Sequence, residues 1–388
     1  PRRPLDNWQR TLYIMFVAQF ITAVGFSNIF PFLPLYVESL GSRLGLSVEL
    51  LSGLVISAQG VTMMIASPIW GAVADRYGRK LMVQRAMFGG AVVLGLMAFA
   101  RSAEDLILLR AVQGLITGTV SAANALVASA APRHRTGYAM GMIQVGLWGG
   151  VAIGPLIGGA LADALGYRAS FTVTAVLLLL AGLLVHFGVR ETSAPTESER
   201  RSRQGYLSDW RHVLSVSAVR WAYGLRFLAG LGNVMIVPIA HLFIATLVSD
   251  PSRLNTLTGL IIGVTSGATT ATAVYLGRLG DRVGHRRVLL ICSLLAGLFY
   301  LPQSLVTNPW QLLALRALTG AAVGGIVPTI SALLAQFSQP GDEGSVYGLD
   351  NSILAASRAV APMLGSAIAV WSGFRMTFVA AGLLYLLV

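Results

Sequence analysis

Charge is what this chain has least of. Of its 388 residues 11% are Asp, Glu, Lys or Arg, against 55% apolar ones, and mean hydropathy is +0.70. A soluble chain carries roughly a quarter of its residues as charges. The scarcity is also local. Residues 11–37, 50–74, 86–100 and 111–132 hold no charged side chain. Such windows suit membrane-spanning helices, which need roughly 20 apolar residues. Cysteine is nearly absent too. A lone Cys292 excludes a disulfide framework and a cysteine-based metal site. Also missing are the Gly-x-x-x-x-Gly-Lys-Ser/Thr loop of an ATP-driven pump, a His-Glu-x-x-His motif and a Gly-x-Ser-x-Gly elbow. The five histidines, His134, His186, His212, His241 and His285, are scattered. An enzyme is therefore not expected, and neither a cofactor nor a metal.

What charge there is has a pattern. The formal net charge of +12 could suggest nucleic acid, but its distribution suggests orientation in a membrane. The spans read as 11–37, 48–74, 81–100, 104–130, 137–163, 168–190, 217–249, 254–278, 286–304, 309–336, 344–371 and 374–388 onward. Loops on one side hold 19 of the 28 Lys and Arg; those on the other hold five, Arg43, Arg101, Arg168, Arg253 and Arg375. The remaining four lie within spans. By the positive-inside rule the Arg-rich side and both termini are cytoplasmic. The first span is too long for a signal peptide, and Pro31 and Pro34 occupy the place of a cleavage site. The last apolar run is about 15 residues, too short to cross, so the helix is expected to continue past Val388.

The chain repeats itself. Gly71-Ala-Val-Ala-Asp75-Arg76-Tyr-Gly78-Arg79-Lys80 recurs as Gly277-Arg-Leu-Gly-Asp281-Arg-Val-Gly-His285-Arg-Arg287. Arg110-Ala-Val-Gln113-Gly114 recurs at Arg316–Gly320, Gly154-Pro155-Leu-Ile-Gly158 at Ala361–Gly365, and Gly166–Phe171 at Gly373–Phe378. Gly25 and Pro31 recur as Gly232 and Pro238. The shared register predicts an all-α membrane protein: twelve transmembrane helices in two pseudo-symmetric six-helix bundles. The expected division is 1–190, a polar cytoplasmic linker 191–216 with an amphipathic piece near Tyr206–Val213, and 217–388. A parallel repeat of this kind places a substrate site between the halves near the midplane.

These motifs resemble those of the major facilitator superfamily. Gly71–Lys80 looks like its signature loop, Arg110–Gly114 like the fourth-helix motif of proton-coupled members, and Gly150–Gly159 like the fifth-helix motif of drug:proton antiporters. Asn28-Ile-Phe-Pro31-Phe-Leu-Pro34-Leu-Tyr36 is similar to the first helix of twelve-span drug:proton antiporters, particularly the MdtG-like branch. The resemblance implies a monomeric bacterial inner-membrane transporter that uses the proton gradient. It also implies that Asp75, with Arg76 and Arg79 beside it, locks the halves on the cytoplasmic side, with Asp281 a looser copy. Arg110 would assist proton exchange.

The residues add their own reading. Gly71 and Gly78 permit a tight turn. Gly150, Gly154 and Gly158 form a stripe with Pro155, suited to a hinge or to the seam between halves. Asp350 is the one acid clearly inside a span, and its depth matches that of Arg226 to roughly 4–5 Å. The two are expected to pair or to share a water-filled site, with Asp350 as first candidate proton carrier. Glu38 and His241 are secondary candidates. Arg358 lies about 80° around the helix from Asp350 and roughly 12 Å deeper. Intramembrane charges of this kind face cavities or partners. Arg226, Arg316 and Arg358 with Asn28, Tyr36, Gln59, Gln113, Asn124, Gln144 and Trp148 are candidate cavity residues. Gln19, Phe32, Asn233 and Asn351 are further polar or aromatic ones. Exporters of cationic drugs often carry an acid in the first helix; this one has none. Four span arginines against one aspartate favour neutral, zwitterionic or anionic amphiphiles. Export of a small amphiphile by proton antiport is the leading expectation. A lipid or glycolipid flippase and an exporter of an anionic metabolite are the alternatives. Protons and membrane lipids are the other expected partners, and nucleic acid is not one.

Overall fold

The computed structural model describes residues 7–116, 123–124, 126–127, 130–132, 135–189, 217–248, 253–337 and 343–388. The expected linker, 191–216, lies outside them. Among the described residues the regular structure is helical, with no strand. The first half contains α1 (Asn7–Ser27), α2 (Leu33–Leu40), α3 (Val48–Tyr77), α4 (Arg79–Met97), α5 (Ala103–Ile116), α6 (Thr136–Leu165) and α7 (Tyr167–Gly188). The second contains α8 (Ser217–Val234), α9 (Val237–Ala245), α10 (Leu254–Val283), α11 (His285–Tyr300), α12 (Pro309–Val323), α13 (Ile326–Phe337), α14 (Glu343–Ser372) and α15 (Phe374–Leu387). Among the described residues ten helical segments are long and apolar enough to cross a membrane, and α15 is a shorter apolar helix.

Three spans expected to be continuous are broken. The first divides into α1 and α2 around Pro31 and Pro34, and the seventh into α8 and α9 beside Pro238. Proline lacks the N–H that would continue the ladder. The tenth divides into α12 and α13 at Gly324 and Gly325. The same break in spans one and seven is the repeat made visible as backbone.

Helices α3, α6, α10 and α14 are 30 residues each. At 1.5 Å per residue that is about 45 Å, longer than a hydrocarbon core of about 30 Å. These four make the principal contacts between the halves, α6 with α10 and α3 with α14. One core cluster is built from residues 219–388; two others come from residues 12–189.

The seams are closed at one end of the molecule. A Cβ on Gly159 would strike the Asn255 carbonyl, and one on Gly259 the Pro155 carbonyl. Gly53 abuts Pro362 and Ser366, and Gly60 abuts Ala359. This is the end that bears the loop 41–47 and Gly166. Toward the opposite end the halves part. Gly267, one turn beyond Gly263, faces open space. Trp148 and Val145, one and two turns from Ala152 on α6, are 44% and 62% exposed. A cleft thus opens at the end bearing Gly78 and Gly284.

Candidate functional site in the cleft between the halves

The charged centre lies in the second half. α8 and α14 approach closely because small residues face each other: Gly230 meets Ser357, and Gly365 meets the Met235 backbone. That contact brings Arg226 and Asp350 together. Arg226 Nη2 donates to Asp350 Oδ2 at 3.0 Å, and Nε stands 2.9 Å from Oδ1. Their side chains are 5% and 7% exposed. Such a side-on guanidinium–carboxylate contact fixes geometry as well as charge.

Arg358 occupies the middle of α14 and is exposed. Exposure here does not mean lipid. Val360, Leu364 and Trp371 mark the apolar outer face of α14, and they lie about 120–160° around the helix from Arg358. Its backbone borders Gly60 of α3, so the residue stands beside the seam between the halves. Arg226 is within Coulombic reach of it. Because Asp350 balances Arg226, Arg358 carries the uncompensated charge of the pair. Arg316 is partly buried. Its guanidinium carbon lies 5.7 Å and 5.6 Å from the Tyr300 and Phe378 ring centroids, within cation–π range.

The first half treats its candidates differently. Arg110 is 2% exposed and spends Nη1 on Gln59 Oε1 at 2.9 Å and Gln113 Oε1 at 3.0 Å. Its Nε and Nη2 have no hydrogen-bond partner. Gln59 and Gln113, expected to line the cavity, are therefore ligands of a buried cation. Asn28 is fully buried and donates to Thr174 Oγ1 at 2.6 Å. Tyr36 donates to the Met97 carbonyl at 2.8 Å and packs on Tyr167 and Phe171. Both hold helices together in this conformation and do not line the cleft. Trp148 does line it. Gln144 and Asn124 are partly buried, and Asn124 Oδ1 has no partner. Glu38 is exposed at the closed end. His241 is 1% exposed, and its ring faces the Pro31 backbone of the first half. Gln19 is likewise buried with both amide atoms unpartnered. Asn233 is exposed, and the Asn351 side chain lies outside the described residues. No group of three or more metal-ligating side chains occurs among the described residues.

The gating candidates divide as well. Gly71, Asp75 and Arg76 lie in α3, with side-chain positions outside the described residues. Gly78 joins α3 to α4 at φ 99°, a conformation that favours glycine. Arg79 opens α4. Asp281 is 73% exposed and sits 3.3 Å from His285 of its own half. A hinge or the half–half seam was expected of the stripe, and its contacts are not those of the seam. Gly150, Gly154 and Gly158 face Phe20, Ala23, Val24 and Ser27 of α1 and Asn28 just after it, within one half. The half–half seam uses the neighbouring face, with Gly159 and the Pro155 carbonyl. Spacing identifies a helix face and leaves its partner open. One polar contact across the seam escaped the sequence reading. Asp163, at the end of α6, accepts from Asn255 Nδ2 at 2.6 Å, Thr256 N at 2.8 Å and Thr256 Oγ1 at 2.5 Å. Its signal was available: Asp163-x-x-Gly166 repeats the spacing of Asp75-x-x-Gly78.

The model of the Major Facilitator Superfamily matches residues 15–252 and 222–388. The chain is 37% identical over 381 residues to the multidrug resistance protein MdtG of Salmonella typhimurium, covering 97% of this chain and 93% of that protein. Among solved structures, a mutant of the nucleoside transporter NupG superposes with a TM-score of 0.81 at 13% identity, over 97% of both chains. A bacterial homologue of the human lysosomal transporter Spinster, inward-facing and unoccupied, gives 0.80 at 13% identity, over 100% of this chain and 96% of that one.

Proposed function

The chain belongs to the major facilitator superfamily, and we propose that it exports amphiphilic small molecules from the cytoplasm by proton-coupled alternating access. The observation that carries this is the 37% identity, across nearly the whole length, to a protein described as a multidrug resistance protein. That description favours small-molecule export over lipid flipping. The geometry gives the reading its parts. The cleft is the substrate path, and Trp148 and Arg358 border it. Asp350, paired with Arg226, is the proton carrier, and Arg110 is the fixed cation that assists exchange. Release of Asp350 from Arg226 would accompany its protonation, since a neutral carboxyl holds a guanidinium less strongly than a carboxylate does.

Orientation follows from the excess of Arg and Lys at the open end, which belongs in the cytoplasm. Both termini then lie in the cytoplasm of a bacterial inner-membrane protein, and the observed cleft faces inward. Arg358 tilts the cavity toward neutral, zwitterionic or anionic amphiphiles and against cations. The test is flux in proteoliposomes under an imposed pH gradient, with cationic, neutral and anionic amphiphiles compared. We expect uptake driven by the gradient and abolished by collapsing it, with cations transported least. Equal flux with and without the gradient would refute proton coupling. Transport confined to cations would refute the assignment of Arg358.

A further inference from the structure

The four 30-residue helices share an ending. Each is followed by a glycine with positive φ: Gly78 after α3, Gly166 after α6, Gly284 after α10 and Gly373 after α14. Three of them carry aspartate two residues before the helix ends, at Asp75, Asp163 and Asp281; the fourth has Val370. α3 and α6 run in opposite directions. Asp163 therefore lies at the closed end, and Asp75 and Asp281 lie at the open end. Nested inverted repeats within each half generate such a relation in this class of fold.

At the closed end the aspartate is engaged. Its carboxylate crosses the seam and takes Asn255 Nδ2, Thr256 N–H and the Thr256 hydroxyl. These groups belong to the first turn of α10, which has no acid of its own. The first amides of a helix lack intrahelical partners, and its dipole favours negative charge there. α3 starts at the same end but carries Glu49 in its first turn, and α14, the helix it packs against, offers Val370 and no acid. Among the described residues the closed end thus has one crossing aspartate. At the open end Asp281, in the same register on its helix, stays with His285 of its own half and remains exposed. Engagement of the aspartate correlates with closure of the seam at its end.

We propose that Asp163 is the latch of the closed end, a positioning residue that must leave the α10 N-terminus whenever the cleft changes sides. This rests on the alternating-access reading above and adds the residue that sets its balance. Gly159 and Gly259 supply the close approach, and Asp163 supplies the polar hold.

The experiment measures distances in the full chain, reconstituted in lipid nanodiscs, in a Cys292→Ala background. Spin labels replace Leu44 and Leu305, exposed at the closed end, or Leu81 and Val283, exposed at the open end. Electron–electron resonance then reports each pair. The unsubstituted seam should give a short major distance for the first pair and a long one for the second. Asp163→Ala should exchange the two populations, and Asp163→Asn should shift them part of the way. Asn255→Asp should also open this end, because α10 then holds its own acid facing Asp163. Combining Asp163→Asn with Asn255→Asp should return the distances toward the starting values, since an amide again faces a carboxylate. Unchanged distances in a folded Asp163→Ala protein overturn the latch. So does broadening of both pairs without a second defined state, the mark of a merely structural prop. If the parent protein shifts with pH or substrate while the Asp163 variants match it, the latch alone fails. If no condition or variant yields a second state, alternating access fails and the latch with it.

Discussion

Arg226 and Asp350 bind each other where water is scarce, so cutting either leaves the other uncompensated. Breaking a buried pair on one side costs about 3–5 kcal/mol. Asp350→Asn should therefore lower the thermal unfolding midpoint of the purified protein as well as its coupling. Arg226→Met together with Asp350→Leu removes both charges and should recover most of that stability while transport stays uncoupled from the pH gradient. Gradient-driven accumulation by the double variant would remove Asp350 from the proton path. A second residue-scale expectation concerns access. Arg358→Cys, in a Cys292→Ala background, should react with a water-soluble thiol reagent, and Gln113→Cys should resist it. The opposite order would mean that the cleft does not reach Arg358. The pairing of Arg226 with Asp350 was legible because depth along a helix can be counted. The capture of Gln59 and Gln113 by Arg110 was not. Counting gives depth and angle on one helix, and the partner depends on how neighbouring helices rotate.

At the scale of elements, the molecule is fitted together by glycines. Gly158 lies so close to the Asn28 carbonyl that an added Cβ has no room. Gly158→Ala should push α1 off α6 and destabilise the first half by about 1–3 kcal/mol, the usual penalty of overpacking. Gly141→Ala, on the same helix with nothing within 4 Å of its Cβ, should be neutral or slightly stabilising. Unfolding midpoints of the two variants in one detergent check this, and equal shifts would contradict the packing described. The stripe itself was plain in the sequence, as were the repeat and the long charge-free windows. Its destination was not, because Gly158 and Gly159 are adjacent and face different helices. The breaks in spans one, seven and ten were written in Pro34, Pro238 and the Gly324–Gly325 pair. A hydropathy window passes over them, since these residues interrupt the ladder without adding charge.

For the whole molecule, the division of cohesion decides what can be taken apart. Among the described residues each core cluster draws its buried residues from a single half, and Leu35 alone of the first half packs at the edge of the second half's cluster. Between the halves, among the described residues, stand close helix contacts at glycines, the packing of α9 on α2 and α3 with His241 facing the Pro31 backbone, and the Asp163 bonds. Such a joint suits bodies that move against each other, because little interdigitated core has to be undone. We therefore expect residues 1–190 and 217–388, expressed as two chains in one cell, to insert separately and assemble into a transporter. Co-purification of the second chain through a tag on the first is the measurement, followed by flux in proteoliposomes. Transport should persist at a reduced rate, since the missing connection lowers the effective concentration of each half for the other. Asp163→Ala should weaken this assembly further, by removing the polar hold that remains once the chain is cut. Fragments that insert and fold yet never associate would show that the connection between the halves, and not their seam, holds the transporter together.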